Sequence, residues 1–141
     1  MNLPRRLRVY YLTAIFGVVF AVVGFSYNAW RLEVSEDNNN IRTAAFEVLI
    51  LLAELEQLIY AAHYDKDLEE GNPRKGWIKV GLIVDLSNLI SSDSRGQAEE
   101  LKIAWNNNWR SIANNRTATN FLVQEIDSVR GEIKLTLKQL E

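Results

Sequence analysis

Residues 9–30, VYYLTAIFGVVFAVVGFSYNAW, form a run of 22 residues without one charged side chain. No other feature constrains the chain as much. Wound as a helix the run measures about 33 Å, against about 30 Å for the hydrocarbon core of a bilayer. Tyr10 and Tyr11 stand near one end, and Tyr27 and Trp30 near the other, where amphipathic rings favour the headgroup level. The expectation is a transmembrane helix.

Charge sets its direction. Residues 1–30 carry Arg5, Arg6 and Arg8 and no acid, whereas the rest of the chain carries 13 basic and 18 acidic residues, a net of −5. Basic residues before the span and Glu33, Glu36 and Asp37 after it place the N-terminus in the cytoplasm by the positive-inside rule. The expected organisation is a cytoplasmic basic tail at 1–8, an anchor at 9–30 in the inner (cell) membrane, and a periplasmic or extracellular domain at 31–141. A cleaved signal peptide is the rival reading, with Gly24-Phe25-Ser26 as the cleavage site. Against it, the run exceeds the usual apolar region of about 7–15 residues, and Phe25, Tyr27 and Trp30 are bulky for a processing site. A core helix of a soluble protein is the third reading.

Within the span, Ala14, Gly17, Ala21, Gly24 and Asn28 recur at gaps of 3, 4, 3 and 4, which puts them on one helix face. Small residues let two membrane helices approach closely, and an amide can hydrogen-bond across the pair. Gly17, Ala21, Gly24 and Asn28 are therefore candidates for helix packing in the membrane, against another membrane protein or a second copy. Frequent glycine and alanine in any membrane helix is the plainer explanation.

The remaining sequence reads as all-α. Asp37-Asn38-Asn39-Asn40 looks like a polar break and a cap, followed by a helix over 41–69. Ile41, Ala45, Val48, Leu52, Leu55, Ile59 and Ala62 form a heptad seam there. Phe46, Leu49, Ile50 and Ala53 extend the apolar surface almost all round, so this helix should be central and covered on most sides. Glu47, Glu54 and Glu56 interrupt it and rule out a second span. Gly71 is placed to end it, and Asn72-Pro73 to cap and start the next, over 73–90. Trp77-Ile78-Lys79-Val80 has strand character but no partner strand. Residues 91–96 read as a loop and 97–113 as a helix with Ala98, Leu101, Trp105, Trp109 and Ile112 inward. Asn114-Asn115-Arg116 reads as a turn, and 119–141 as a last helix with Leu122, Ile126, Val129, Ile133, Leu137 and Leu140 along its seam. The expected fold is one anchor helix followed by an antiparallel four-helix bundle.

Little points to catalysis. Cysteine is absent, which excludes disulfides, thiolate metal sites and cysteine nucleophiles. The single histidine, His63, is more often a boundary residue than a proton switch. Glu54 and Glu56 lie two apart on a helix and cannot face each other as acid and base. No glycine-rich phosphate loop occurs, and the net charge of −2 does not suggest nucleic acid. Asp65-Lys66-Asp67-Leu68-Glu69-Glu70-Gly71 alternates carboxylates like the start of a calcium loop, but lacks its spacing. No cofactor is expected. Trp105 and Trp109 stand one turn apart with Asn106, Asn107 and Asn108 between them. Aromatic rings beside amides suit an interface hot spot or a small polar ligand, and Trp105, Asn108 and Trp109 are the candidate contacts. A plain core stripe is the alternative.

The layout resembles the extracytoplasmic four-helix-bundle sensor domains of bacterial receptors: a basic N-terminus, an anchor at 9–30, a long helix and three more. That resemblance implies a ligand pocket between helices near Trp105 and Asn108. The expectation is that no second span or cytoplasmic output domain follows Leu140, so that a receptor built this way would signal inward only through a partner. The layout also looks like that of a phage inner-membrane spanin, although a spanin's thin charged coiled coil differs from the apolar stretch 48–53. The expected function is a non-enzymatic accessory or interaction subunit of a membrane complex, with the sensory module as the alternative and the spanin as a remote one.

Overall fold

The computed structural model describes residues 3–140. Among them the chain is all-helical: α1 (Leu3–Tyr60), a π-helical turn (Ala61–Asp65), α2 (Pro73–Ser87), α3 (Ser92–Asn108) and α4 (Arg116–Gln139).

The first correction to the sequence reading concerns residues 37–40. They are not a break: α1 is a single helix of 58 residues that runs through them. The apolar run 9–30 and the first helix after it are thus one element, leaving four α-helices among the described residues where five were expected. Asn and Asp cost about 0.7 kcal/mol each in a helix interior, and neither proline nor glycine is present to force an exit. Strong helix formers on both sides outweigh so weak a penalty.

The second correction concerns where this helix stops. It ends well before Gly71, through the π turn and Lys66, whose φ of 55° lies in the left-handed region. The amides of Lys66 and Asp67 both return to the Ala61 carbonyl, the latter at 3.0 Å. Gly71 has a different task. A Cβ there would lie 2.6 Å from the Ala62 Cα, so its missing side chain permits close approach of two backbone segments.

The other boundaries follow capping chemistry. Asn72 caps α2 by accepting from the Arg74 amide at 2.9 Å, with Pro73 in the first turn, as expected; residues 77–80 are helical. Ser91 accepts from the Ser94 amide at 3.0 Å and starts α3 inside the expected loop. Asn115 accepts from the Ala118 amide at 3.1 Å and starts α4 at Arg116.

The chain divides into two units, Met1–Asn39 and Asn40–Glu141. In the first, every described side chain from Pro4 to Asp37 is exposed. It contains the only stretch, among the described residues, long and apolar enough to cross a membrane, and none of that window is buried within the chain.

The second unit holds the core. Ala45, Val48, Leu52, Leu55 and Ile59 of α1 contribute to one apolar cluster with Val80, Ile83 and Val84 of α2. Ala98, Leu101, Ala104 and Trp105 of α3 and Leu122, Ile126, Val129 and Ile133 of α4 belong to the same cluster. α3 packs on both α2 and α4. Ion pairs flank the α1 seam on either side: Glu54 with Lys79 of α2, and Glu56 with Arg130 of α4 at 2.7 Å. Arg42 donates to the Leu140 carbonyl at 2.7 Å.

Candidate interaction surfaces

In the first unit the local geometry is that of a bare helix. A Cβ on Gly17 or Gly24 would meet nothing within 4 Å. Ala21 and Asn28 are exposed, as is every described side chain from Pro4 to Asp37. Thr13 donates its hydroxyl to the Val9 carbonyl at 2.8 Å, which satisfies that polar group inside the helix. The Tyr27 and Trp30 rings lie 6.1 Å apart at the end of the apolar run.

In α3 the three candidate contacts have separate fates. Trp105 is fully buried and meets Trp77 edge to face at 6.5 Å. Its ring fills the space left by Gly76, where a Cβ would come within 2.2 Å of the indole. The buried ring contributes packing here, and its indole N–H has no partner among the described residues. Asn108 donates to the Ala104 carbonyl at 2.8 Å, one turn back in its own helix. Trp109, half-buried at the end of α3, lies under the Arg110 guanidinium at 5.0 Å. A cavity of about 150 Å³ adjoins Trp109, lined also by Ala62, Leu68, Gly71, Arg110 and Ile112. Small-molecule sites are usually about 300–1,000 Å³.

His63 and the acidic turn are engaged structurally. His63 Nδ1 lies 2.7 Å from the Ile112 carbonyl, which also accepts from the Thr119 hydroxyl at 3.1 Å, and Lys66 Nζ donates to the Ala113 carbonyl. These bonds tie the π turn to the segment between α3 and α4. The Asp67 carboxylate accepts from the amides of Glu70 and Glu69, at 3.0 and 2.9 Å. Those backbone bonds hold Asp67 below the ordinary carboxylate value. Among the described residues no group of three His, Asp or Glu side chains is placed to hold a metal ion.

The α1 surface departs from the sequence expectation. Its core seam is covered, but the other apolar side is not: Phe46 is 57% and Ile50 52% exposed, and Ala53 is exposed as well. With Gln57 and Tyr60 they continue at gaps of 4, 3, 4 and 3, a second heptad stripe on the side away from the core. Tyr60 donates to Glu56 Oε1 at 3.0 Å, and its ring lies 5.7 Å from that of Tyr64. Partial burial, then the bond to Glu56, push the Tyr60 phenol above its ordinary value. The residues of this stripe are visible in the sequence. What the sequence does not reveal is that, among the described residues, no other helix covers them.

Comparison with protein-family models, with curated proteins and with solved structures finds no match to this chain.

Proposed function

We propose that this chain is a non-enzymatic single-pass membrane protein. Residues 9–30 cross the inner (cell) membrane with the N-terminus in the cytoplasm. The helices from residue 40 onward form an extracytoplasmic interaction domain that serves as an accessory subunit of a membrane complex. The observation that carries the reading is the contrast between the two units. One is an apolar stretch with none of its surface buried, and the other closes an apolar core of its own. Bare apolar surface of this extent needs lipid or protein around it. The arginines at positions 5, 6 and 8 supply the direction.

The domain is read as an antiparallel bundle of four helical segments. Its support is the order of the polar ties: Arg42 reaches Leu140 and Glu56 reaches Arg130, so rising numbers in α1 meet falling numbers in α4. The accessory reading is preferred to a ligand sensor because the Trp105 ring is occupied with core packing and the Asn108 amide with its own helix.

Pull-down of the tagged full-length protein after gentle solubilisation tests the proposal. Recovery with a stoichiometric membrane partner or a second copy is the expected result; recovery alone and monomeric contradicts it.

The membrane face has its own test. Gly17→Leu or Gly24→Leu adds bulk where backbones would approach and is expected to disrupt association through the membrane helix in a membrane two-hybrid assay. Val19→Leu exchanges one lipid-like side chain for another and is expected to leave it unchanged. Asn28→Leu should weaken it by only about 0.6 kcal/mol, the average for an interhelical hydrogen bond in membranes. All four keep the span apolar, so insertion is a built-in control. Equal signals for Gly17→Leu, Val19→Leu and the unaltered chain mean that the helix is an anchor and nothing more.

A further inference from the structure

We infer that the exposed heptad stripe of α1, formed by Phe46, Ile50, Ala53, Gln57 and Tyr60, is the docking surface for a second copy of this chain, paired in parallel.

Alternating gaps of 4 and 3 are what a helix needs to seat side chains in the holes of a partner helix, since the seam then stays in contact over successive turns. One such seam of α1 is already used inside the domain, and this one is bare. In heptad terms Phe46, Ala53 and Tyr60 take the d positions, and Ile50 and Gln57 the a positions. Residues 47 and 54 then fall at e, and 42, 49 and 56 at g.

The charges beside the stripe identify the occupant. In a parallel pair each g residue faces the e residue five positions later in the partner, so Arg42, which gives one guanidinium nitrogen to the Leu140 carbonyl and keeps others to donate, faces Glu47 of the other copy with opposite sign. On α1 itself two further carboxylates flank the stripe, and both are compensated within their own chain: Glu54 by Lys79, and Glu56 by Arg130 and the Tyr60 hydroxyl. Beyond α1, Asp65, Asp67 and Glu70 stand about the cleft that Ala53, Gln57 and Tyr60 also line; Glu70 pairs with Lys75 at 3.3 Å and Asp67 accepts from two backbone amides. Two like copies therefore meet along α1 without unpaired acids of that helix between them. Gln57 at the second a position is a polar residue of the kind that fixes register and copy number, because two such amides can bond only when they meet in phase.

The parallel direction rests on the membrane reading above, because two copies anchored in one membrane by residues 9–30 present α1 in the same sense. Anchoring also raises the local concentration, which compensates for a short seam.

The native chain contains no cysteine, so single cysteines can be placed at will. Full-length protein carrying Ile50→Cys, Ala53→Cys or Gln57→Cys, oxidised in native membranes, is expected to yield a band at the mass of two chains. Glu100→Cys on α3 and Gln124→Cys on α4, both exposed, are expected to yield only background. Co-expression of differently tagged Phe46→Cys and Tyr60→Cys chains is expected to join like positions. Joining Phe46→Cys to Tyr60→Cys instead overturns the parallel arrangement. Ile50→Glu in the Gln57→Cys background should abolish the crosslink while helical content by circular dichroism stays unchanged, since Ile50 is half exposed. Crosslinking equal at seam and control positions, a band containing some other protein, or a crosslink that survives Ile50→Glu overturns the inference. Labelling Glu100→Cys with a membrane-impermeant maleimide in intact cells separates the two claims. Labelling without seam crosslinks leaves the topology standing and removes the dimer; seam crosslinks without labelling do the reverse.

Discussion

Leu52→Asp is expected to unfold the domain Asn40–Glu141. Leu52 is fully buried in the middle of the α1 core seam, among residues from all four helices. Removing its side chain costs about 2–5 kcal/mol in lost burial and cavity formation. Burying a carboxylate without a partner adds several kcal/mol more, or forces the group to stay protonated at neutral pH. Against a total stability of roughly 5–15 kcal/mol, that loss removes most of the folded population. Circular dichroism of a fragment beginning near Asn40 is the measurement: loss of helical signal and of a cooperative melt is expected. Ile103→Asp makes the control, because Ile103 sits on the exposed side of α3 and the same change there should cost less than about 1 kcal/mol. A Leu52→Asp domain that melts like the unaltered one contradicts the core assignment.

Two glycines in α2 should respond to the same substitution in opposite directions. Alanine is favoured over glycine in a helix by roughly 0.5–1 kcal/mol, so each Gly→Ala change begins with a gain. At Gly81 the added Cβ meets nothing within 4 Å, and the gain stands. At Gly76 the Cβ would lie 2.2 Å from Cζ2 of Trp105. That ring cannot step aside into solvent: it is fully buried and set edge-on against Trp77. Overpacking of this kind costs about 1–3 kcal/mol or more, which exceeds the propensity gain. Thermal melts should show Gly81→Ala raising the midpoint by roughly 3–6 °C and Gly76→Ala lowering it by roughly 5–15 °C. Equal shifts for the two would mean that Trp105 does not occupy the Gly76 notch.

Periodicity was the reliable guide to this fold. The buried seam of α1 and that of α4 follow the expected spacing, as does the Asn72-Pro73 start of α2. Breaks were harder to read. The polar tetrad at 37–40 resembles a cap, but a cap acts only where the chain leaves the helix, and nothing in those residues prevents the helix from continuing. The α1 terminus is hard to place from the sequence for the converse reason. It depends on a left-handed Lys66, a conformation that no residue type there announces, while Gly71 is reserved for close approach to Ala62. The surfaces were legible in part. Spacing identifies both stripes of α1, yet which of them is covered depends on where α2 and α4 pack. The same holds for Trp105 and Trp109: their spacing puts them on one face of α3, but the notch at Gly76 draws Trp105 into the core and leaves Trp109 half exposed at the helix end.

The central claim is that residues 9–30 cross the membrane and hold the rest of the chain outside the cytoplasm. The most direct measurement fuses two reporters in turn to the C-terminus of the full-length protein, one active only outside the cytoplasm and one active only inside. The account predicts activity of the first, silence of the second, and a membrane-bound product whose size shows the N-terminus intact. Activity of the cytoplasmic reporter, or a product shortened near Gly24 and released from the membrane, contradicts it.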